Sequence, residues 1–421
     1  MKKYVNFCLC LLLLLFLLVG CKRPEQQGDE TESVNATEHG LSVDNDGKAN
    51  SAALQALINN LSPDGGVIYI PSGEYEFAEN GSQTIGSHCI KMRSGVSIVG
   101  DGEKTVLKPT GHSLYGLDMF YFNDYLDTKE AVYLEGCRFE NFVIDASLTS
   151  TEVYTSAGKG FMFNLFKDCH WKGVTVKNTD ATGFGVDCPI DSTMTDCTAI
   201  GCGKAATLQN GGASGFGIGY GFSEGESILI TDCVAENNKK FGFFFEHQGR
   251  FNSEMYNAPS KNDFKVTKCT ARGNYYGFGG ICLSGVTYER CTSEYSVCYG
   301  FFFEDSERAE IRESSSRFEG KAAFAVEQTE DAMFSSSGIA FLQCTAEDSP
   351  IALYIDSKQE AAAVEDVRMQ DCKLVLVDRA ASVCAHVRSL TLTDNVASVK
   401  YDNFLSRVDL LVDEGNSWNR K

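Results

Sequence analysis

Phenylalanine and small aliphatic residues alternate with polar ones at two-residue spacing throughout the second half of the chain, always just after a glycine or alanine. The repeating unit is Gly/Ala-Phe-x-apolar-acid. It appears as Gly183-Phe184-Gly185-Val186-Asp187, Gly215-Phe216-Gly217-Ile218-Gly219, Gly242-Phe243-Phe244-Phe245-Glu246, Gly277-Phe278-Gly279-Gly280-Ile281, Gly300-Phe301-Phe302-Phe303-Glu304, Ala323-Phe324-Ala325-Val326-Glu327 and Ala352-Leu353-Tyr354-Ile355-Asp356, preceded by Gly160-Phe161-Met162-Phe163-Asn164. Side chains alternate across a strand, so the second and fourth positions form one apolar face and the third and fifth the other. Successive starts lie 23, 32, 27, 35, 23, 23 and 29 residues apart. A base period of that length with insertions marks a stacked solenoid.

A second column keeps step with the first. Cys197, Cys233, Cys269, Cys291, Cys344 and Cys372 each sit near the start of a short segment, eight or nine residues before a pentapeptide-like start in most coils. A sandwich or propeller would need hairpin turns such as Asn-Gly between short alternating strands, whereas the spacing is that of whole coils, and Phe and Val at two-residue spacing do not make a helical stripe. The pattern predicts an all-β, single-stranded right-handed parallel β-helix, the hand following the crossover rule for parallel strands. One elongated domain over residues 41–421 is expected, because a solenoid needs no internal boundary.

The N-terminal end reads differently. Lys2-Lys3, an apolar run through Leu11–Leu18 and Leu18-Val19-Gly20-Cys21 form an export signal over residues 1–20. Small residues before a cysteine resemble the bacterial lipobox, which implies a lipidated Cys21, a membrane-anchored exported lipoprotein and a polar tether over residues 21–40. Asp44 to Leu57 then predicts a capped amphipathic helix closing the end of the solenoid. After it come Gly65-Gly66-Val67-Ile68-Tyr69-Ile70-Pro71-Ser72-Gly73-Glu74-Tyr75 and Gly95-Val96-Ser97-Ile98-Val99-Gly100-Asp101-Gly102. This opening resembles that of the pectate-lyase-like β-helix superfamily. The resemblance implies fold more than chemistry, since lyases, hydrolases, epimerases and phage tail proteins share it.

Charge narrows the partners. With Lys2 and Lys3 removed, 35 basic residues face 57 acidic ones, a net charge of −22. Such a chain does not bind nucleic acid by bulk charge, and a uronic-acid polymer needs local cations to offset the field. Seventeen cysteines become 14 once Cys8, Cys10 and Cys21 are set aside. The ladder positions fit buried free thiols inside the coil better than disulfides, and no four-ligand spacing for zinc occurs.

The outward column runs Asn164, Asp187, Gly219, Glu246, Ile281, Glu304, Glu327, Asp356. Asp187 and Glu246 lie two rungs apart around a bare glycine, roughly 9–10 Å between backbones. The insertions through Gly211-Gly212-Ala213-Ser214 and from Gln248 through Tyr256 to Pro259 would wall them in. Two carboxylates at that spacing suit an acid and a base in inverting glycoside hydrolysis; the alternative is a solvated edge of an acidic solenoid. The expected site is therefore Asp187, Glu246 and His247 as catalytic candidates, with Asp191, Tyr220, Phe244, Arg250 and Glu304 contacting substrate. His247 is expected to point inward or into the turn, yet with Arg250 it is also the base of a second reading, a lyase or epimerase acting on a uronic acid. Polygalacturonase-like hydrolases carry NTD, DD, GHG and RIK segments; this chain has only Asn178-Thr179-Asp180. Nor is the DPHE motif of alginate epimerases present, Asp187-Cys188-Pro189-Ile190-Asp191 sharing only Asp and Pro with it. No cofactor or metal is expected, with Ca2+ belonging to the lyase reading alone. Three functions stay open: a polysaccharide-cleaving glycoside hydrolase, a lyase or epimerase, and a non-catalytic glycan-binding solenoid, in each case a monomer.

Overall fold

In the computed structural model, each coil of the chain lays down strands that pair, in parallel and in register, with those of the coil before and after. The structure describes residues 33–420 apart from 63, 84, 126–129, 259–260, 331 and 360–363. The export signal, Cys21 and most of the tether lie outside the described residues. A representative coil consists of Phe184–Ile190, Ser192–Thr195 and Thr198–Ile200, after which Phe216–Tyr220 returns beside Phe184–Ile190. Repetition yields two long sheets, one containing the first two strands of each coil and a second containing the third. This is the right-handed parallel β-helix that the repeat predicts.

The register follows the pentapeptides residue for residue. Phe184 pairs with Phe216, Phe216 with Phe243, Phe243 with Phe278 and Phe278 with Phe301. Their rings stack face to face down the interior, with centroids 4.7 Å apart from Phe184 to Phe216 and again from Phe216 to Phe243, and 4.9 Å apart in the next two steps. That spacing equals the distance between neighbouring strands, so identical residues at equivalent positions necessarily become a stack. All five rings are fully buried.

Corners are held by ladders of small polar side chains. Cys197 accepts no disulfide partner; its backbone N–H donates to Cys233 Sγ at 3.3 Å, and that of Cys233 donates to Cys269 Sγ at 3.4 Å. Further along, the N–H of Cys291 donates to Ser314 Oγ and that of Cys372 to Asn395 Oδ1. Cysteine, serine and asparagine thus do the same work, satisfying a corner amide that no strand reaches. A second corner uses Asn238, Asn274, Ser296, Glu319 and Ser349 in the same way. The residues preceding the cysteine column, among them Asp196, Asp232, Lys268 and Arg290, adopt left-handed backbone with φ of 52–54°.

The predicted cap is the helix Gly47–Leu61, whose Asp46 N-cap accepts from the Ala49 N–H at 2.8 Å. It buries Leu54, Leu57 and Ile58 against the first coils. The expected tether is shorter than residues 21–40: Val34 and Asn35 form a strand pairing with Ile68 and Tyr69, and Ala36 is buried. Apolar Val34 and Ala36 draw this segment onto the body.

Candidate functional site

The outward column stands in line on one wall. Asn164 pairs with Asp187, Asp187 with Gly219, Gly219 with Glu246, Glu246 with Ile281, Ile281 with Glu304, Glu304 with Glu327 and Glu327 with Asp356. Asp187 and Glu246 therefore share a face two rungs apart. Both line one cleft of about 560 Å³, with Lys159, Gly219, Gln248 and Phe251 among the residues around it. Its walls come from the predicted insertions, through Gly211 and Gly212 on one side and Gln248 and Phe251 on the other.

Gly219 is bare by necessity. A Cβ built there would lie 2.2 Å from Asp187 Oδ1 and 2.5 Å from Gln248 Nε2. Asp187 leans across it, its Oδ1 accepting from the Gly219 N–H at 2.9 Å.

The environments of the two acids differ. Burial pushes the Glu246 carboxyl up to about 7, outweighing the opposing pull of Arg250, whose Nη1 donates to Glu246 Oε1 at 2.7 Å. Only 13% of the Glu246 side chain is exposed. Asp187 is also raised by burial, but the Lys159 ammonium and the Gly219 N–H both favour its charged form. Burial thus raises both carboxyls, opposed at Glu246 by Arg250 and Lys240 and at Asp187 by Lys159 and the Gly219 N–H.

Five of the expected site residues lie elsewhere in the structure or play another part. His247 faces the interior: it is 1% exposed, its Nδ1 accepts from the Gly249 N–H, and its ring meets Tyr220 and Phe334 edge-on. Burial lowers its pKa, which favours the neutral ring. Tyr220 is inward as well, on the face of Phe216 and Ile218, with its hydroxyl donating to Cys282 O and accepting from the Ser284 N–H. Asp191 is an exposed corner residue with φ of 48°, tied to Ser227 rather than to the cleft. Phe244 touches the cleft but is 7% exposed, its ring packed with Phe241 and Phe302 in an outer aromatic cluster. Arg250 is where the pair needs it. Glu304 lies in a neighbouring hollow.

Two residues at the site, Lys159 and Tyr256, carry no signal in the pentapeptide. Lys159 lies across Gly185, where an added Cβ would sit 2.5 Å from Lys159 Cδ. The glycines at the outward third position, Gly185 and Gly217, were the available clue, since bare positions make room for a neighbouring chain. Tyr256 and Asn164 flank Asp187 on the side away from Glu246. The Asn164 Nδ2 lies 3.3 Å from the Tyr256 hydroxyl, and its buried Oδ1 has no hydrogen-bond partner among the described residues.

A family model described as rhamnogalacturonase A/epimerase, pectate lyase-like, matches residues 33–302. No curated protein matches the chain. Among solved structures the fold is similar to the A-module of a mannuronan C-5 epimerase from Azotobacter vinelandii, at a TM-score of 0.68 and 15% identity over 91% of this chain and 98% of that one. It is similar also to an exopolygalacturonase from Thermotoga maritima, at 0.53 and 11% identity over 91% of each chain. The catalytic unit of an α-1,3-glucanase from Streptomyces thermodiastaticus matches at 0.53 and 14% identity, over 93% of this chain and 70% of that one.

Proposed function

The chain belongs to the rhamnogalacturonase A/epimerase, pectate lyase-like family, and on that premise we propose that it is a glycoside hydrolase cleaving a polysaccharide between Asp187 and Glu246. The observation that supports this reading is the pair of carboxyls in one cleft: Glu246, raised by burial to about 7, and Asp187 two rungs away, where the Lys159 ammonium and the Gly219 N–H oppose the effect of burial. Glu246 protonates the leaving glycosidic oxygen as general acid. Asp187 removes a proton from a water attacking the opposite face of the sugar, and the product carries inverted configuration. Similar folds that act on polysaccharides, the exopolygalacturonase and the glucanase, support the substrate class.

A lyase or epimerase that uses His247 as its base finds no support in the geometry, because that imidazole faces the core. The same proposal includes export and lipid attachment at Cys21, checked by whether Cys21→Ser abolishes labelling with a radioactive fatty acid. It includes a monomer working without a cofactor.

The test is a panel of neutral and uronic-acid polysaccharides, followed for new reducing ends and for absorbance from unsaturated uronides. Reducing ends without unsaturation, lost in Glu246→Gln, are expected. Unsaturated products would establish a lyase, and binding without cleavage of any polymer a non-catalytic solenoid.

A further inference from the structure

Beyond the turn Gln248–Arg250 the same wall holds a second hollow of about 450 Å³. The turn is a ridge between the two: Gln248 and Phe251 face the cleft of Asp187 and Glu246, whereas Arg250 and Ser253 face the hollow. Phe251 stands on the crest, 66% exposed, with the Arg250 guanidinium 5.2 Å from its ring centre. Glu304 enters the hollow from the outward column, two rungs beyond Glu246 and so about 10 Å along the axis.

The groups in this hollow are sorted by whether they are already used. Asp305 is spent on the wall, its Oδ1 accepting from the Thr329 N–H at 2.6 Å and from Gln328 Nε2 at 2.9 Å. The Glu304 carboxylate has no hydrogen bond or ion pair among the described residues. Burial and the neighbouring Asp305 and Glu327 raise it, which shows how poorly solvated it is. Arg250 gives one of its five N–H donors to Glu246 and holds others in reserve. Met333, 43% exposed, adds apolar surface. An unused acceptor, spare donors and apolar patches fit a ring that is hydroxylated at its rim and apolar on its faces.

We propose that this hollow is a second sugar subsite, which takes a neutral, hydroxyl-bearing unit of the same chain that is cut between Asp187 and Glu246. It rests on the hydrolase reading for the cleft. A neutral unit suits the hollow because Glu304 and Asp305 repel a carboxylate while the Arg250 charge beside them is already paired with Glu246, and a hydroxyl donates to Glu304. The polymer accordingly runs along the solenoid axis and crosses the ridge over Phe251.

The experiment compares the wild type with Thr329→Trp, which fills the hollow, and the near-isosteric Glu304→Gln, which keeps the proposal testable should the larger change unfold the protein. Probes are neutral gluco-oligosaccharides and oligogalacturonides of increasing length. Each is assayed for kcat and KM and titrated by calorimetry into the Glu246→Gln background. For long neutral chains KM should rise about tenfold in both variants with kcat unchanged, and the shortest cleaved chain should be unaffected. Oligogalacturonides should bind Glu304→Gln better than the parent. Equal changes for short and long chains, or no change for either, would overturn the subsite. If the wild type cleaves nothing, the hydrolase reading falls by itself, and the subsite is still decided by whether the variants weaken binding of long neutral chains; failure of the unfilled protein to bind them overturns it.

Discussion

Among the described residues two glutamates are pushed up to about 7 by burial, and one of them sits where it can act. Glu246 stands on the outward column with Asp187 two rungs away and an open cleft before it. Glu319 sits in a corner ladder, 3% exposed, accepting from the Ser296 N–H at 2.6 Å and the Ser316 hydroxyl at 3.0 Å while its own N–H donates to Ser349 Oγ. The corner glutamate occupies a place that serine and asparagine fill in other coils, so its shift is a by-product of structure. A displaced pKa therefore points to function only when a partner acid and room for a ligand accompany it.

The sharpest way to break the comparison is to neutralise each acid in turn. Glu246→Gln and Asp187→Asn should each lower kcat by roughly 10²–10⁴-fold with the fold intact, since each removes one of two proton-transfer groups. Glu319→Gln should leave kcat at pH 6 unchanged. Equal losses from Glu246→Gln and Glu319→Gln would mean that both act through stability, and the cleft would lose its assignment.

Gly219→Ala comes next. The new methyl would collide with Asp187 Oδ1 and Gln248 Nε2. Displacing a reacting carboxylate by about 1 Å costs on the order of 10²-fold in rate, whereas the melting temperature should move little, because the amide side of Gln248 can swing away. A rate near wild type would show that Asp187 need not lie across the glycine.

Much of this was legible in the repeat, and what was not follows from physics outside it. The order Asn164, Asp187, Gly219, Glu246, Glu304 came from counting, because a parallel coil carries register unchanged from rung to rung. The alternation that turned Phe216 and Ile218 inward applies equally to Tyr220, whose neighbourhood to Gly219 in sequence places it on the opposite face. His247 obeys the same parity, as its neighbour Glu246 is outward. Tyr256 arrives from an insertion and Lys159 stands one residue before the pentapeptide at Gly160, positions about which the pentapeptide says nothing. Nor could counting give the shifts of Glu246 and Glu319, which depend on how much of each carboxyl the folded chain covers.

Stability against pH should show the two glutamates alike. Each is raised in the folded state above its ordinary value of 4.5. The native protein keeps these protons up to about pH 7 while the unfolded chain releases them near 4.5, so the stabilisation is complete below the unfolded value and fades as pH rises through the folded one. Replacing either glutamate by glutamine should consequently raise stability at pH 8 relative to pH 5, by on the order of 2 kcal/mol in denaturant titrations. A glutamine variant whose relative stability is the same at both pH values would mean that its carboxyl is not shifted, and for Glu246 this would remove the basis for its role as the acid.

The smallest effect is the most diagnostic of which acid sets the activity profile. Activity requires Glu246 protonated, so kcat/KM on a short substrate should fall as pH rises through about 7. Arg250 opposes burial by favouring the carboxylate, and Arg250→Gln removes both its charge and its 2.7 Å hydrogen bond. The carboxyl must then hold its proton more tightly, moving the alkaline limb upward by about one unit, the lower end of what a neighbouring opposite charge does to a carboxyl. Arg250 has no counterpart at Glu319, where neutral serines and an amide do the solvating, so no single charge removal should shift that group in the same way. An alkaline limb that stays in place in Arg250→Gln would belong to a different group, and Glu246 would then share with Glu319 the status of a buried structural carboxyl.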